Sequence, residues 1–117
     1  MEGQFSVVDA ASTNENERVL KLAGPLTLTT MFDFRDKFRS ETAAKSVILD
    51  MSEVPYVDSA GMGAIVNAHV SCMNTGRRLA LVGVVERVRT MLKMTRVDSV
   101  LALYPTLQEA QQALSAA

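Results

Sequence analysis

Three consecutive residues, Val47-Ile48-Leu49, constrain the fold of this chain more than any other feature. A strand with one wet face alternates apolar and polar side chains, because successive residues point to opposite sides. The segment from Ser46 to Met51 shows no such alternation and reads as a strand buried on both faces. That condition belongs to a parallel sheet covered by helices, so an α/β domain with βα units is expected.

The flanking sequence agrees. Gln4–Asp9 and Glu17–Ala23 have strand character, and the turn formers of Ser12–Asn16 between them predict an antiparallel hairpin. Gly24-Pro25 stops the second strand, since proline has no amide to donate. Thr29 or Thr30 is a candidate N-cap for a helix to about Ser40, with Met31, Phe34 and Phe38 on its inner face and Phe32 at the rim. Farther on, Arg78–Val82 predicts a strand and Val85–Thr95 a helix with Val88, Met91 and Leu92 inward. Val100–Tyr104 predicts a last strand, and Thr106-Leu-Gln-Glu109 opens a last helix as a capping box, with Leu107, Ala110 and Leu114 inward. The predicted order is ββαβαβαβα.

After the apolar run the chain passes through a short loop and restarts as a helix at Asp58-Ser59-Ala60-Gly61-Met62-Gly63. Met62, Ile65, Val66, Val70 and Met73 predict the inner stripe of this helix to Asn74. Ala60, Gly63, Asn67, Ser71 and Asn74 form a small, polar opposite side, and Gly76 is the expected C′ residue.

A serine at a strand-to-helix turn raises the question of catalysis. A nucleophile elbow needs Gly-x-Ser-x-Gly and a histidine base. Here Val57 precedes Ser59 by two, and the single histidine, His69, lies ten residues along the same helix, about 15 Å away at the helical rise. A phosphate-binding loop needs a lysine after its glycines, and Gly61-Met-Gly63 has none. No catalytic residue is therefore assigned, and the chain is expected not to be an enzyme. His69 reads as a packed or half-exposed side chain, and Cys72, the single cysteine, as a packed one. One histidine and one cysteine supply no zinc-spaced cluster, so neither metal nor cofactor is expected.

Ser59 is better placed as a substrate. With Asp58 at the N-cap it falls in the first turn, where free amides and the helix dipole favour an added phosphate, while the Asp58 carboxylate repels one. A purely structural cap is the competing explanation.

A net charge of −1 argues against nucleic-acid binding by bulk electrostatics. The charge is uneven: Arg77, Arg78, Arg87, Arg89, Lys93 and Arg96 face Glu86 alone over 77–96. The last four are either a solvated helix surface or a face for an acidic partner. No apolar run reaches the ~18 residues of a membrane helix, and the N-terminal residues lack the pattern of a signal peptide. A cytoplasmic protein without membrane insertion is the expectation.

The run Val47-Ile-Leu-Asp-Met-Ser, the segment Tyr56-Val-Asp-Ser-Ala-Gly-Met-Gly63 and the strand Gly76-Arg-Arg-Leu-Ala-Leu-Val82 together resemble the STAS domain of bacterial anti-sigma-factor antagonists. The resemblance extends over nearly the whole chain. It implies a single STAS domain over residues 1–117, α/β, with a mixed, mostly parallel sheet of about five strands and helices packed against it.

The resemblance also implies partner switching. The unphosphorylated antagonist binds an anti-sigma factor that is itself a serine kinase, which frees a sigma factor. Phosphorylation of the motif serine breaks that complex, and a PP2C-type phosphatase restores it. Carried over, the phosphorylated residue is Ser59. The partner surface comprises Asp58, Ser59, Ala60, Gly61, Met62, Gly63 and Asn67, with Gly24, Pro25 and Thr27 alongside. Members with this switch commonly carry acids in that loop, where this chain has Pro25 and Thr27. Other STAS proteins brace the ATPase of phospholipid ABC transporters, which makes a structural accessory subunit the alternative.

Overall fold

The uninterrupted apolar run becomes the central strand of a five-stranded sheet. The computed structural model describes residues 4–12, 15–40 and 43–115; residues 1–3 and the middle of the expected first turn, Thr13 and Asn14, lie outside them. The elements are β1 (Ser6–Ala10), β2 (Glu17–Ala23), α1 (Met31–Arg39), β3 (Ser46–Glu53), α2 (Ser59–Asn74), β4 (Arg78–Val82), α3 (Glu86–Met94), a 3₁₀ turn (Val97–Ser99), β5 (Ala102–Tyr104) and α4 (Leu107–Ser115).

The sheet order is β1-β2-β3-β4-β5. β1 and β2 pair antiparallel, and β2 to β5 pair parallel. Each parallel neighbour is reached through one helix, as parallel pairing requires. The mixed, mostly parallel α/β sheet is therefore the one the sequence predicts.

Alternation along β3 explains why its sequence shows none. Val47, Leu49 and Met51 pack into the larger core with Phe34 and Phe38 of α1, Ile65 of α2, and Val88 and Leu92 of α3. Ile48 points the other way, into a smaller core with Val19, Ala80 and Val82 and with Ala110 and Leu114 of α4. Three helices cover one face and α4 covers part of the other, so both sets of β3 side chains are withdrawn from water.

Charged side chains at the strand bases are tied inward. The Arg18 guanidinium is buried and donates to Asp9 Oδ1 at 2.7 Å, Phe38 O at 3.0 Å and Lys37 O at 2.9 Å. It thereby adds donors to carbonyls of the last turn of α1, where the helical ladder runs out. The Arg18 hydrogen bond, reinforced by Lys37, holds the Asp9 carboxyl below its ordinary range against the opposing effect of burial. Arg77 donates to Ala44 O at 2.8 Å and lies over the Phe38 ring, and Arg78 donates to Leu114 O at 3.2 Å. These two belong to the scaffold rather than to a basic face.

Several local expectations are corrected. Thr30 caps α1, yet its hydroxyl accepts from Thr27 N and donates to Pro25 O, binding the preceding loop rather than the helix amides. The last strand begins at Ala102 instead of Val100, because Arg96 takes a left-handed backbone (φ 63°) and starts the 3₁₀ turn. That turn leaves Val100 exposed. Thr106 does accept from Glu109 N at 3.1 Å, one half of the expected capping box.

The inner face of α2 also differs. Gly61, Met62, Ala64, Ile65, Ala68 and Cys72 are buried, whereas Val70 and Met73 are 44% and 63% exposed. Small residues let the helix lie close to the sheet and to α1, and that closeness buries Ala64 and Ala68 ahead of larger side chains. Proximity, rather than side-chain size, chooses the buried stripe here. Gly76, in the left-handed region at φ 71°, follows the helix as its C′ residue.

Candidate functional site

Asp58 organises the start of α2. Its backbone is extended (φ −98°, ψ −175°), as an N-cap requires, and its Oδ1 accepts from Gly61 N at 2.8 Å. The second oxygen, Oδ2, accepts from Leu28 N at 3.1 Å, across thirty residues of sequence. One carboxylate thus joins the helix start to the loop after β2.

Backbone bonds reinforce the junction. Leu26 N donates to Tyr56 O at 3.2 Å, and Asp58 N donates to Leu26 O at 3.3 Å. Leu26 and Val57 form a parallel bridge that extends the sheet pattern by one residue pair. Gly24 N donates to Glu53 O at 2.9 Å. The two segments expected from sequence to share a surface, the Gly24–Thr30 loop and the first turns of α2, are side by side.

Ser59 is exposed in the first turn, directly after the cap. Its amide and that of Ala60 stand outside the helical ladder and point out from the positive end of the helix. The surface around it is made of half-buried Ala60 and Gly63 and exposed Asn67, with exposed Leu28 on the loop. Leu28 and Phe32, 61% and 46% exposed, are apolar residues in the neighbouring loop and α1; Phe32 is the rim residue expected off the inner stripe, and Leu28 is not among the site residues expected from sequence. Phe32 was legible from its place off the inner stripe of α1, whereas Leu28 is brought to the helix start by a bond across thirty residues.

Gly61 and Met62 are placed differently from the rest. Both are buried. A Cβ on Gly61 would lie 2.0 Å from Leu26 O, so this glycine serves the packing of the chain's own loop and not the approach of a partner. Met62 Sδ accepts a hydrogen bond from Thr95 Oγ1 at 3.2 Å. The partner surface expected from sequence is corrected accordingly: neither residue presents a side to solvent.

Gly24 is likewise structural, at φ 93° with Gln4 O only 2.5 Å from the position of a Cβ. Pro25 and Thr27 are half-buried, with the Pro25 carbonyl and Thr27 amide both held by the Thr30 hydroxyl.

Gly63 is the opposite case to Gly61. A Cβ there meets nothing within 4 Å. Gly63→Ala is expected to raise stability by about 0.5–1 kcal/mol, the difference in helix propensity. A urea unfolding curve with an unchanged or lower midpoint would contradict the open geometry.

The other candidates lie apart from this junction. His69 is half-buried. Cys72 is wholly buried, and burial pushes its thiol up against the opposing effect of Arg77; a protonated, enclosed thiol is a poor nucleophile. Arg87 stacks over the Tyr56 ring at 4.8 Å. Arg89 and Lys93 line a separate cleft with Asp98 and Tyr104. The cationic segment is therefore divided among several places. Among the described residues, no helix is long and apolar enough to cross a membrane.

A buried central strand, a capped helix start with an exposed first-turn serine and the ββαβαβαβα order together describe one α/β domain. Residues 10–110 match the model of the STAS domain, and the chain belongs to that family. Among its relatives, a Thermotoga neapolitana protein bearing an anti-sigma-factor-antagonist name is 38% identical over 64 residues, 55% of this chain and 57% of that protein. The match thus spans little more than half the length of that curated relative. An anti-sigma factor antagonist from Mycobacterium paratuberculosis has the same fold, with a TM-score of 0.84 at 17% identity over 97% of this chain and 96% of that one. So has the anti-sigma factor antagonist SpoIIAA in its unphosphorylated form, with a TM-score of 0.77 at 17% identity over 97% of this chain and 98% of that one. At these identities the structural likeness is one of fold.

Proposed function

We propose that this chain is an anti-sigma-factor antagonist whose binding to an anti-sigma factor with serine-kinase activity is controlled at Ser59. The unmodified surface formed by Ser59, Ala60, Gly63 and Asn67, with Pro25, Thr27 and Leu28 beside it, receives the partner and frees a sigma factor. A phosphate on Ser59 breaks the complex, and a PP2C-type phosphatase removes it. The names of the relatives support the antagonist role.

The observation that carries the switch is the position of Ser59. It is exposed, first in the helix, and adjacent to a carboxylate whose two oxygens are held by Leu28 N and Gly61 N. A phosphoryl group brings roughly −1.5 to −2 charges to that point. Asp58 cannot turn away without releasing both amides, so the added charge accumulates on the contact surface. Discharging it requires its removal.

The test is peptide-mapped mass spectrometry after incubation with ATP and the kinase-like anti-sigma factor of the same genome. One phosphate on Ser59, absent from Ser59→Ala, is expected. No phosphate, or one found only at other residues, would sink the proposal.

A further inference from the structure

We infer that the groove between α1 and α2 is a second docking site, which takes an apolar side chain from an acidic protein segment. Its floor is apolar: Phe34 and Phe38 of α1 face Ala64 and Ala68 of α2. Two alanines opposite two phenylalanines leave a space of about 140 Å³. That is close to the ~150 Å³ of a cavity that accepts benzene, and so suits one leucine or phenylalanine side chain.

The lips of the groove decide the chemistry of its occupant. Arg35 and Arg39 stand one turn apart on the α1 lip, both exposed, and Asn67 and Ser71 stand on the α2 lip. Neither arginine takes part in an ion pair among the described residues. Two like charges at this spacing repel one another in the free chain. Carboxylates flanking an inserted apolar side chain would relieve that repulsion and add charge-assisted hydrogen bonds to the guanidinium forks.

Arg35 is also oriented. Its guanidinium lies over the Phe32 ring, 4.7 Å from the centroid, and the residue lines the groove together with Arg39. Both guanidinium groups are exposed and hydrated in the free chain; a basic occupant meets like charge there and a neutral one gains nothing from it, so charge complementarity selects the acidic one. The groove lies one to three turns along α2 from Ser59 and adjoins the surface around that serine at Asn67, and its occupancy does not require the serine to be modified.

Amide chemical shifts of the isotope-labelled chain test the inference directly. The probes are a capped Glu-Glu-Phe-Glu-Glu peptide, its Lys-Lys-Phe-Lys-Lys counterpart, and Glu-Glu-Ser-Glu-Glu. The first is expected to shift Ala64, Asn67, Ala68 and Ser71 in a saturable way, and the other two are not. Arg35→Glu combined with Arg39→Glu should weaken the acidic peptide about tenfold or more, as reversal of facing charges does. Ser71→Trp should block it by filling the groove.

Equal response to the basic or serine peptide overturns the inference, as do shifts scattered away from α1 and α2. Groove shifts that follow protein concentration without peptide would identify a second copy as the occupant, which also overturns it. Because no kinase is present, failure of the Ser59 switch and failure of the groove are read separately.

Discussion

Ser59→Asp is expected to weaken binding of the kinase-type anti-sigma factor by about a hundredfold, while Ser59→Ala binds at least as well as the unmodified chain. A new charge set against a surface that excludes water costs several kcal/mol when the partner offers no counter-charge, and a hundredfold corresponds to about 2.7 kcal/mol. Two features of the site place the effect at the upper end. The helix start that presents residue 59 is fixed by the Asp58 cap, so the new carboxylate has little room to retreat. It also sits beside an existing carboxylate, and the two together repel any acidic group on the partner.

Aspartate carries less charge than a phosphate, so the phosphorylated chain should bind more weakly still. Titration calorimetry of the three forms against the same partner gives the comparison. Equal affinities for Ser59→Asp and Ser59→Ala would remove the switch and leave Asp58-Ser59 as a cap alone.

Gly61→Ala is the second large effect, and here the competing terms have opposite signs. Alanine favours an α-helix over glycine by roughly 1 kcal/mol. Against this, its methyl would have to occupy a point 2.0 Å from Leu26 O and 3.2 Å from Leu26 Cγ. The obstacle is backbone, so it yields only if the loop moves. Moving it strains or breaks the bonds from Asp58 N to Leu26 O and from Leu28 N to Asp58 Oδ2. With overpacking at about 1–3 kcal/mol and each lost bond at about 1 kcal/mol, the clash prevails. A net loss of about 2–4 kcal/mol is expected in urea unfolding. A variant as stable as the parent would show that the loop does not seat against α2 as described.

These two glycines of one short motif also show what the sequence could and could not disclose. Val47-Ile48-Leu49 was enough to place a doubly covered strand, because burial on both faces is a property of consecutive residues. The exposed serine after an N-cap was legible for the same reason: Asp58 and Gly61 are local partners. Gly61 and Gly63 looked alike, since both were small residues near a helix start. What separates them is Leu26, thirty-five positions away, whose carbonyl reaches only the first. The buried stripe of α2 was misjudged on similar grounds. Val70 and Met73 have the right period, but the approach of α1 and the sheet buries Ala68 and Cys72 instead. Distance to a neighbouring element is a property of the whole fold, and no spacing along one helix encodes it.

The position of Leu28 follows this pattern. Its amide partner, Asp58, lies on another element, so no spacing along the chain names Leu28 itself, although the resemblance sets its loop beside the serine. Pro25 and Thr27 looked like losses from an acidic loop. In the folded chain they are bonded through Thr30 into a closed turn.

That shared carboxylate bears on the kinetics of recognition. Since Asp58 ties loop and helix together before any partner arrives, the docking face has little conformational freedom left to lose on association. Encounter should then proceed without a slow rearrangement of this chain, and differences among variants of the face should appear mainly as changes in residence time. A substitution that cuts the Leu28 tie alone, leaving the Gly61 cap, would convert a ready surface into one that must be ordered anew at each encounter.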